Sequence, residues 1–221
     1  MFNIILPTPD EMVRYLTTDT NFLAKLYEAA KITRETGKEA SLELQIDLVE
    51  GKRHLSYVSL GTETEPDPVR NISGYTRDQY IKAIHLHSHP SSYLKWGFVS
   101  PSGADLLTTL ATLSRNTEKL IKKMQIPHGL LTLQENVRIA HHVLKWTHHE
   151  AVIGVKDNLN VGMVLFENNS SIFRDGPDEE FHPKNQEEVM GVMRTLGFNT
   201  QFFQYILIEP RRYEVHKLYC V

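Results

Sequence analysis

The sequence predicts an α/β fold: a central mixed β-sheet flanked by helices, with a C-terminal αβ extension. Three observations carry that reading. Helical and strand-like periodicities alternate through residues 1–135. The chain has 221 residues, 41% of them hydrophobic, enough to bury a full core. At its centre an apolar lead-in (Ile81, Ala83, Ile84, Leu86) runs into His87-Ser88-His89-Pro90 and is followed by Ser102-Gly103-Ala104-Asp105.

Taken in order, Asp10 to Leu16 is a short amphipathic segment with Thr8 or Pro9 at its start. Asn21 to Arg34 repeats Phe22, Leu23, Leu26, Tyr27, Ala30 and Ile32 at helical spacing, and Gly37 supplies a C-terminal stop. Leu42, Leu44, Ile46 and Leu48 then alternate with Ser41, Glu43, Gln45 and Asp47, the pattern of a half-buried strand. Glu50-Gly51-Lys52 turns into a partner strand, Leu55 to Leu60, making a hairpin. Residues 61–79 have little periodicity and read as a surface loop where a substrate would be touched.

The histidine-bearing strand follows, ended by Pro90, which lacks the ladder donor. Leu106, Leu107, Leu110 and Leu113 predict a helix beginning near Pro101 or Ser102. Beyond Pro127, His128 to Leu133 reads as a strand, and Val137 to Trp146 fits a strand or a short helix. Val152 to Val155 and Val161 to Phe166 form a hairpin through Asp157-Asn158, and residues 167–185 are a polar connection. Glu187 to Leu196 is a helix stopped by Gly197, and Phe202 to Ile208 and Tyr213 to Tyr219 are closing strands. The organisation is thus a core over 1–135 with an extension, 136–221, packed on it.

Composition narrows the function. A net charge of -3 gives no basic footprint for nucleic acid. The one cysteine, Cys220, excludes an internal disulfide framework and a thiolate zinc cluster, and it has no assigned role. No apolar run approaches the roughly 20 residues that span a bilayer, so no membrane partner is expected. The first residues lack the basic region and cleavage site of a signal peptide. A reducing, soluble compartment, the cytoplasm, is the expected setting. The outlier is histidine, at 11 residues.

On a strand, residues two apart share a face, roughly 6.5–7 Å apart, so His87 and His89 point the same way. Two neutral imidazoles on one face are half of a zinc site, and Asp105 at a helix start supplies a third ligand. The fourth position would fall to water, as a catalytic zinc requires. Such a site also needs a general base. Glu39 leads the first strand and by parity shares the face of the histidines; Glu43 shares that parity and is its rival.

Standing alone, His-x-His is ordinarily a polar strand face, and Ser-x-x-Asp before an apolar run is a capping-box-like helix start. Their order, with Pro90 between them and a strand-leading Glu upstream, shifts the balance toward a site. In this order they resemble the JAMM (MPN+, JAB-domain) zinc metalloproteases, over roughly residues 20–135. The resemblance implies the JAMM/MPN fold, itself similar to that of the cytidine deaminases. It implies a bound Zn2+ held by His87, His89 and Asp105, with Glu39 taking the proton of the attacking water. It also makes Ser102 the hydrogen-bond donor to the oxyanion. The implied reaction is cleavage of isopeptide or peptide bonds, with a protein or peptide substrate such as the C-terminus of a ubiquitin-like protein.

The chain departs from the family in the longer stretch between His89 and Ser102. That stretch carries Tyr93, Leu94, Trp96 and Phe98, and the aromatics fit either a substrate platform or loop packing. His85, one step earlier on the ligand face, is expected outside the ligand set or at the surface. Glu43 is expected to be solvated, and His141-His142 and His148-His149 with Glu150 to be surface residues. Two further functions stay open: a non-catalytic MPN scaffold, and a zinc hydrolase of a small amide.

Overall fold

A computed structural model of the chain describes residues 6–61, 80–90, 99–124, 149–156, 158–168, 185–195 and 197–220. Helix α1 (Pro9–Thr18) starts where local chemistry dictates. Thr8 Oγ1 accepts the Glu11 N–H while Glu11 Oε2 accepts the Thr8 N–H at 2.7 Å, a closed capping box followed by proline at the first helical position. Asp19 caps α2 (Thr20–Thr36) by accepting the Phe22 N–H, and Gly37 ends it at φ +67°, a left-handed conformation that glycine adopts without strain.

The strands are β1 (Ala40–Asp47), β2 (Arg53–Leu55), β3 (Ser59–Leu60), β4 (Tyr80–Ser88), β5 (His149–Val155), β6 (Val161–Asn168), β7 (Phe198–Glu209) and β8 (Arg212–Cys220). Helix α3 (Gly103–Met124) follows β4, and α4 (Gln186–Thr195) precedes β7. One sheet holds them all in the order β2-β1-β4-β5-β6-β7-β8, with β3 beside β2 along β1. Its neighbours are antiparallel except β4 and β5, which run parallel, so the sheet is mixed. Strands from residues 1–135 and from residues 136–221 therefore build a single sheet.

Each face has its own apolar layer. On one, Met12, Leu16, Phe22, Leu26 and Ala30 of α1 and α2 pack on Leu42, Leu44, Ile84, Leu86 and Ile153. On the other, Val99 ahead of α3 and Leu106 in its first turn, with Val189 and Met193 of α4, pack with Val152, Val164 and Phe166. Each fully buried aliphatic side chain contributes about 1.5–3 kcal/mol, so this double cover is the main stabilising term.

Two sequence expectations need correction. All eight residues of β1 are buried, not half of them. Alternation marks two different faces, but it does not reveal that a second layer covers the polar one. The expected strand Leu55 to Leu60 is split, because Ser56 turns inward: its N–H donates to Glu43 O and its hydroxyl accepts the Glu43 N–H, each at 2.9 Å. The loop at 62–79, the aromatic stretch 91–98, the segments within 125–148 and the connection 169–184 lie outside the described residues. Among the described residues, no helix is long and apolar enough to cross a membrane.

A buried serine ties the site end of the sheet together. Ser88 Oγ accepts the Ala40 N–H at 2.8 Å and shares a hydrogen bond of 2.6 Å with Thr33 Oγ1, linking β4, β1 and α2. Ser88→Ala strands both partners in a dry interior, where an unmet polar group costs about 1–3 kcal/mol. Urea unfolding of this variant should show a loss in that range without a change in the slope; no loss would mean the link is not structural.

Candidate metal centre

Strand parity builds the site. Ile84 and Leu86 point into the α1/α2 layer, so His85 and His87 project from the opposite face. On β1, Ser41 lies opposite His87 and Glu43 opposite His85, which puts the odd-numbered β1 residues on the histidine face. Glu39 precedes Ser41 by two residues, just before β1, so strand alternation continued by one residue would put it on the histidine face, and it is only 5% exposed. Its carbonyl accepts the Gly61 N–H at 2.8 Å, which anchors the backbone at this strand entrance.

His89 lies just past the end of β4, its N–H donating to Ile153 O at 2.9 Å. Its Nδ1 is 3.0 Å from Ser100 O. A carbonyl only accepts, so Nδ1 carries a proton and Nε2 faces the site, 3.1 Å from His87 Nε2. Asp105 arrives from the first turn of α3, where acidic residues suit the helix dipole. Its Oδ1 is 3.0 Å from His87 Nε2 and its Oδ2 is 3.4 Å from His89 Nε2. His87, His89 and Asp105 thus offer ligand atoms within 4.8 Å of one another and could hold a metal ion.

Ser102 is exposed and is the cap of α3. Its N–H and hydroxyl both donate to Asp105 Oδ2, at 2.6 and 2.9 Å, and its oxygen accepts the Asp105 N–H at 3.3 Å. Capping and ligand placement are here one arrangement, since the box that starts the helix also fixes the carboxylate.

Two expectations about this face are overturned, those for Glu43 and Glu150, and of the two places expected for His85 the structure gives the one outside the ligand set rather than the surface. Glu43 is not solvated: it is buried, with Oε2 3.0 Å from Lys82 Nζ and Oε1 accepting from Gln45 Nε2 at 2.8 Å. His85 is buried and its Nδ1 is hydrogen-bonded to Glu150. Glu150 is not a surface residue but is 0% exposed, because parallel pairing sets it beside His85 in register. Its Oε1 is also 3.7 Å from His87 Nδ1, so His85, His87 and Glu150 form a second group able to hold a metal. The signal that could have found Glu150 was the one used for Glu39: an acid leading an apolar strand, here Ala151 to Val155.

No family model, curated protein or solved structure matches the chain. The chemistry of the side chains is therefore the guide to function.

The charges are strongly coupled. Burial pushes the His87 imidazole down, but its close contact with Asp105 and the nearby Glu150 carboxylate outweigh this and carry it up to about 10. Burial likewise raises the Asp105 carboxyl, yet the hydrogen bonds from His87 and His89 hold it well below the usual carboxylate range. Glu150 also ends below its ordinary value despite burial, through the charge and hydrogen bond of His85 and then the nearby His87 ring.

For the chain freed of metal by a chelator, the consequence has a definite sign. A folded-state value above the unfolded one means that the His87 contribution is complete below about pH 6.5. It is lost as pH rises toward about 10. Unfolding free energy should fall across that window by up to about 1.4 kcal/mol per pH unit, one proton's worth. Denaturation at stepped pH checks this, and Asp105→Asn should flatten the slope; an equal slope in both proteins would refute the assignment.

Proposed function

We propose that the chain is a zinc-dependent hydrolase of peptide or isopeptide bonds, of the JAMM/MPN type. The observation that carries this reading is the convergence of His87, His89 and Asp105, from a strand, the residue after it and a helix start, on one point. Two imidazoles and one carboxylate are a donor set that suits zinc and leaves a coordination position open. The ion, when bound, supplies a Lewis acid for a carbonyl oxygen and makes water a nucleophile at neutral pH.

The chain's own residues supply the rest. Glu39, buried and assigned to the histidine face by strand alternation, takes a proton from the attacking water and returns it to the leaving amine. Glu43 is the poorer base, because Lys82 and Gln45 already hold its two oxygens. Ser102 donates to the oxyanion of the tetrahedral intermediate. Its hydroxyl proton is free to leave Asp105 for this, because the Ser102 backbone N–H at 2.6 Å keeps Asp105 Oδ2 in place. The substrate is a protein or peptide, with the C-terminus of a ubiquitin-like protein as the leading class on the JAMM resemblance.

Metal analysis and hydrolysis of a ubiquitin-like C-terminal amide panel test this together. Purified protein should carry zinc, and His87→Ala should lose it. Glu39→Gln should keep the zinc and lose hydrolysis by about 10²–10⁴-fold, the span of general acid–base catalysis. Absence of zinc from the unmodified chain, or full activity in Glu39→Gln, would sink the reading.

A further inference from the structure

The reaction just described leaves Glu150 without a task, yet it is the most costly group on the histidine face to bury. Its side chain is 0% exposed. One oxygen, Oε1, is engaged by His85, while Oε2 has no hydrogen-bond partner among the described residues. A buried carboxylate with an unmet oxygen costs stability, so its position calls for a reason.

His87 presents the complementary deficit. Its two ring nitrogens face two different carboxylates: Nε2 lies 3.0 Å from Asp105 Oδ1, and Nδ1 lies 3.7 Å from Glu150 Oε1. That Nδ1 is buried and has no hydrogen-bond partner among the described residues. Closing 3.7 Å to an ordinary hydrogen bond of about 2.9 Å requires less than about 1 Å of movement. The rings of His85 and His87 stack at 5.4 Å with 27° between their planes, so Glu150 meets two roughly parallel imidazoles side by side.

We propose that Glu150 is the positioning residue of His87: it accepts the His87 Nδ1–H and thereby turns the Nε2 lone pair toward the ion. His85 steadies the same carboxylate from its other neighbour. A ligating histidine has one nitrogen for the ion and needs an acceptor for the N–H of the other, which fixes both tautomer and ring orientation. His89 meets this need with the Ser100 carbonyl, and Glu150 is the corresponding acceptor for His87. The acceptor stands on β5, where pairing of His85 with Glu150 and of His87 with Val152 sets its height along the sheet. The proposal rests on the metal reading above and assigns Glu150 a task within it.

Zinc affinity of the full chain, measured by competition with a chromophoric chelator, tests the assignment. Glu150→Gln replaces one acceptor oxygen with a donor, so two imidazole N–H groups contend for a single acceptor. Zinc should bind about 10–100-fold more weakly, still at one ion per chain, with Glu150→Asp recovering part of the loss. Nitrogen-15 NMR of the zinc-loaded unmodified chain should show His87 protonated at Nδ1, a readout that holds even where Glu150→Gln fails to fold. Unchanged affinity in Glu150→Gln, protonation at Nε2, or two zinc ions per chain (a second ion among His85, His87 and Glu150) would overturn the role of Glu150. Failure of the unmodified chain to bind zinc would overturn the metal reading itself, which separates the two failures.

Discussion

The structure depends on one constraint: the polar face of β1 and β4 is covered, so its charged groups have mostly each other for solvent. Lys82 meets Glu43, Gln45 meets Glu43, His85 meets Glu150, and His87 and His89 meet Asp105. The backbone obeys the same demand. Where β4 shifts register against β1, Asn116 of α3 accepts the Lys82 N–H at 3.2 Å and donates to Lys82 O at 2.7 Å. Ladder groups loosened by the irregularity are thus met by a side chain rather than by water. Apolar residues of equal volume would stabilise the fold at least as well as such an ion cluster. Buried titratable clusters of this kind mark sites more often than they mark stability.

What could be read from the chain was what neighbours in sequence determine. Thr8 and the glycines at 37 and 197 are signals within one turn and bound α1, α2 and α4 as expected, and the Asp19 cap of α2, equally local, was not read. The candidate ligand residues were also legible locally, since strand parity groups His87 with His89 and a capping box places Asp105. Even the competing explanation of Ser102 as a mere cap was correct without being an alternative. The cap is what aims the carboxylate.

The rest was hidden because it depends on partners far along the chain. Glu150 is separated from His85 by 65 positions, and only parallel pairing of β5 with β4 brings them together. The burial of Glu43 follows from Lys82 and from the helix layer, neither of which alternation within β1 reports. The break at Ser56 arises from a side chain competing with the ladder for the Glu43 N–H. Long-range pairing and side-chain competition thus account for each correction.

The parallel pairing of β4 with β5 also makes the closing of the sheet a long-range event. Adjacent parallel strands cannot be joined by a tight turn; the chain must cross over before they meet, and α3 lies in that crossover. Loop-closure entropy is spent before such contacts give anything back, so pairing of this kind forms late. His87, His89 and Asp105 lie within one short span of sequence, while Glu150 reaches them only through the pairing of β5 with β4. A ligand that prefers the closed arrangement draws the folding equilibrium toward it by mass action. A metal ion held at the candidate site and backed by Glu150 would thus act as a latch on the pairing of β4 with β5.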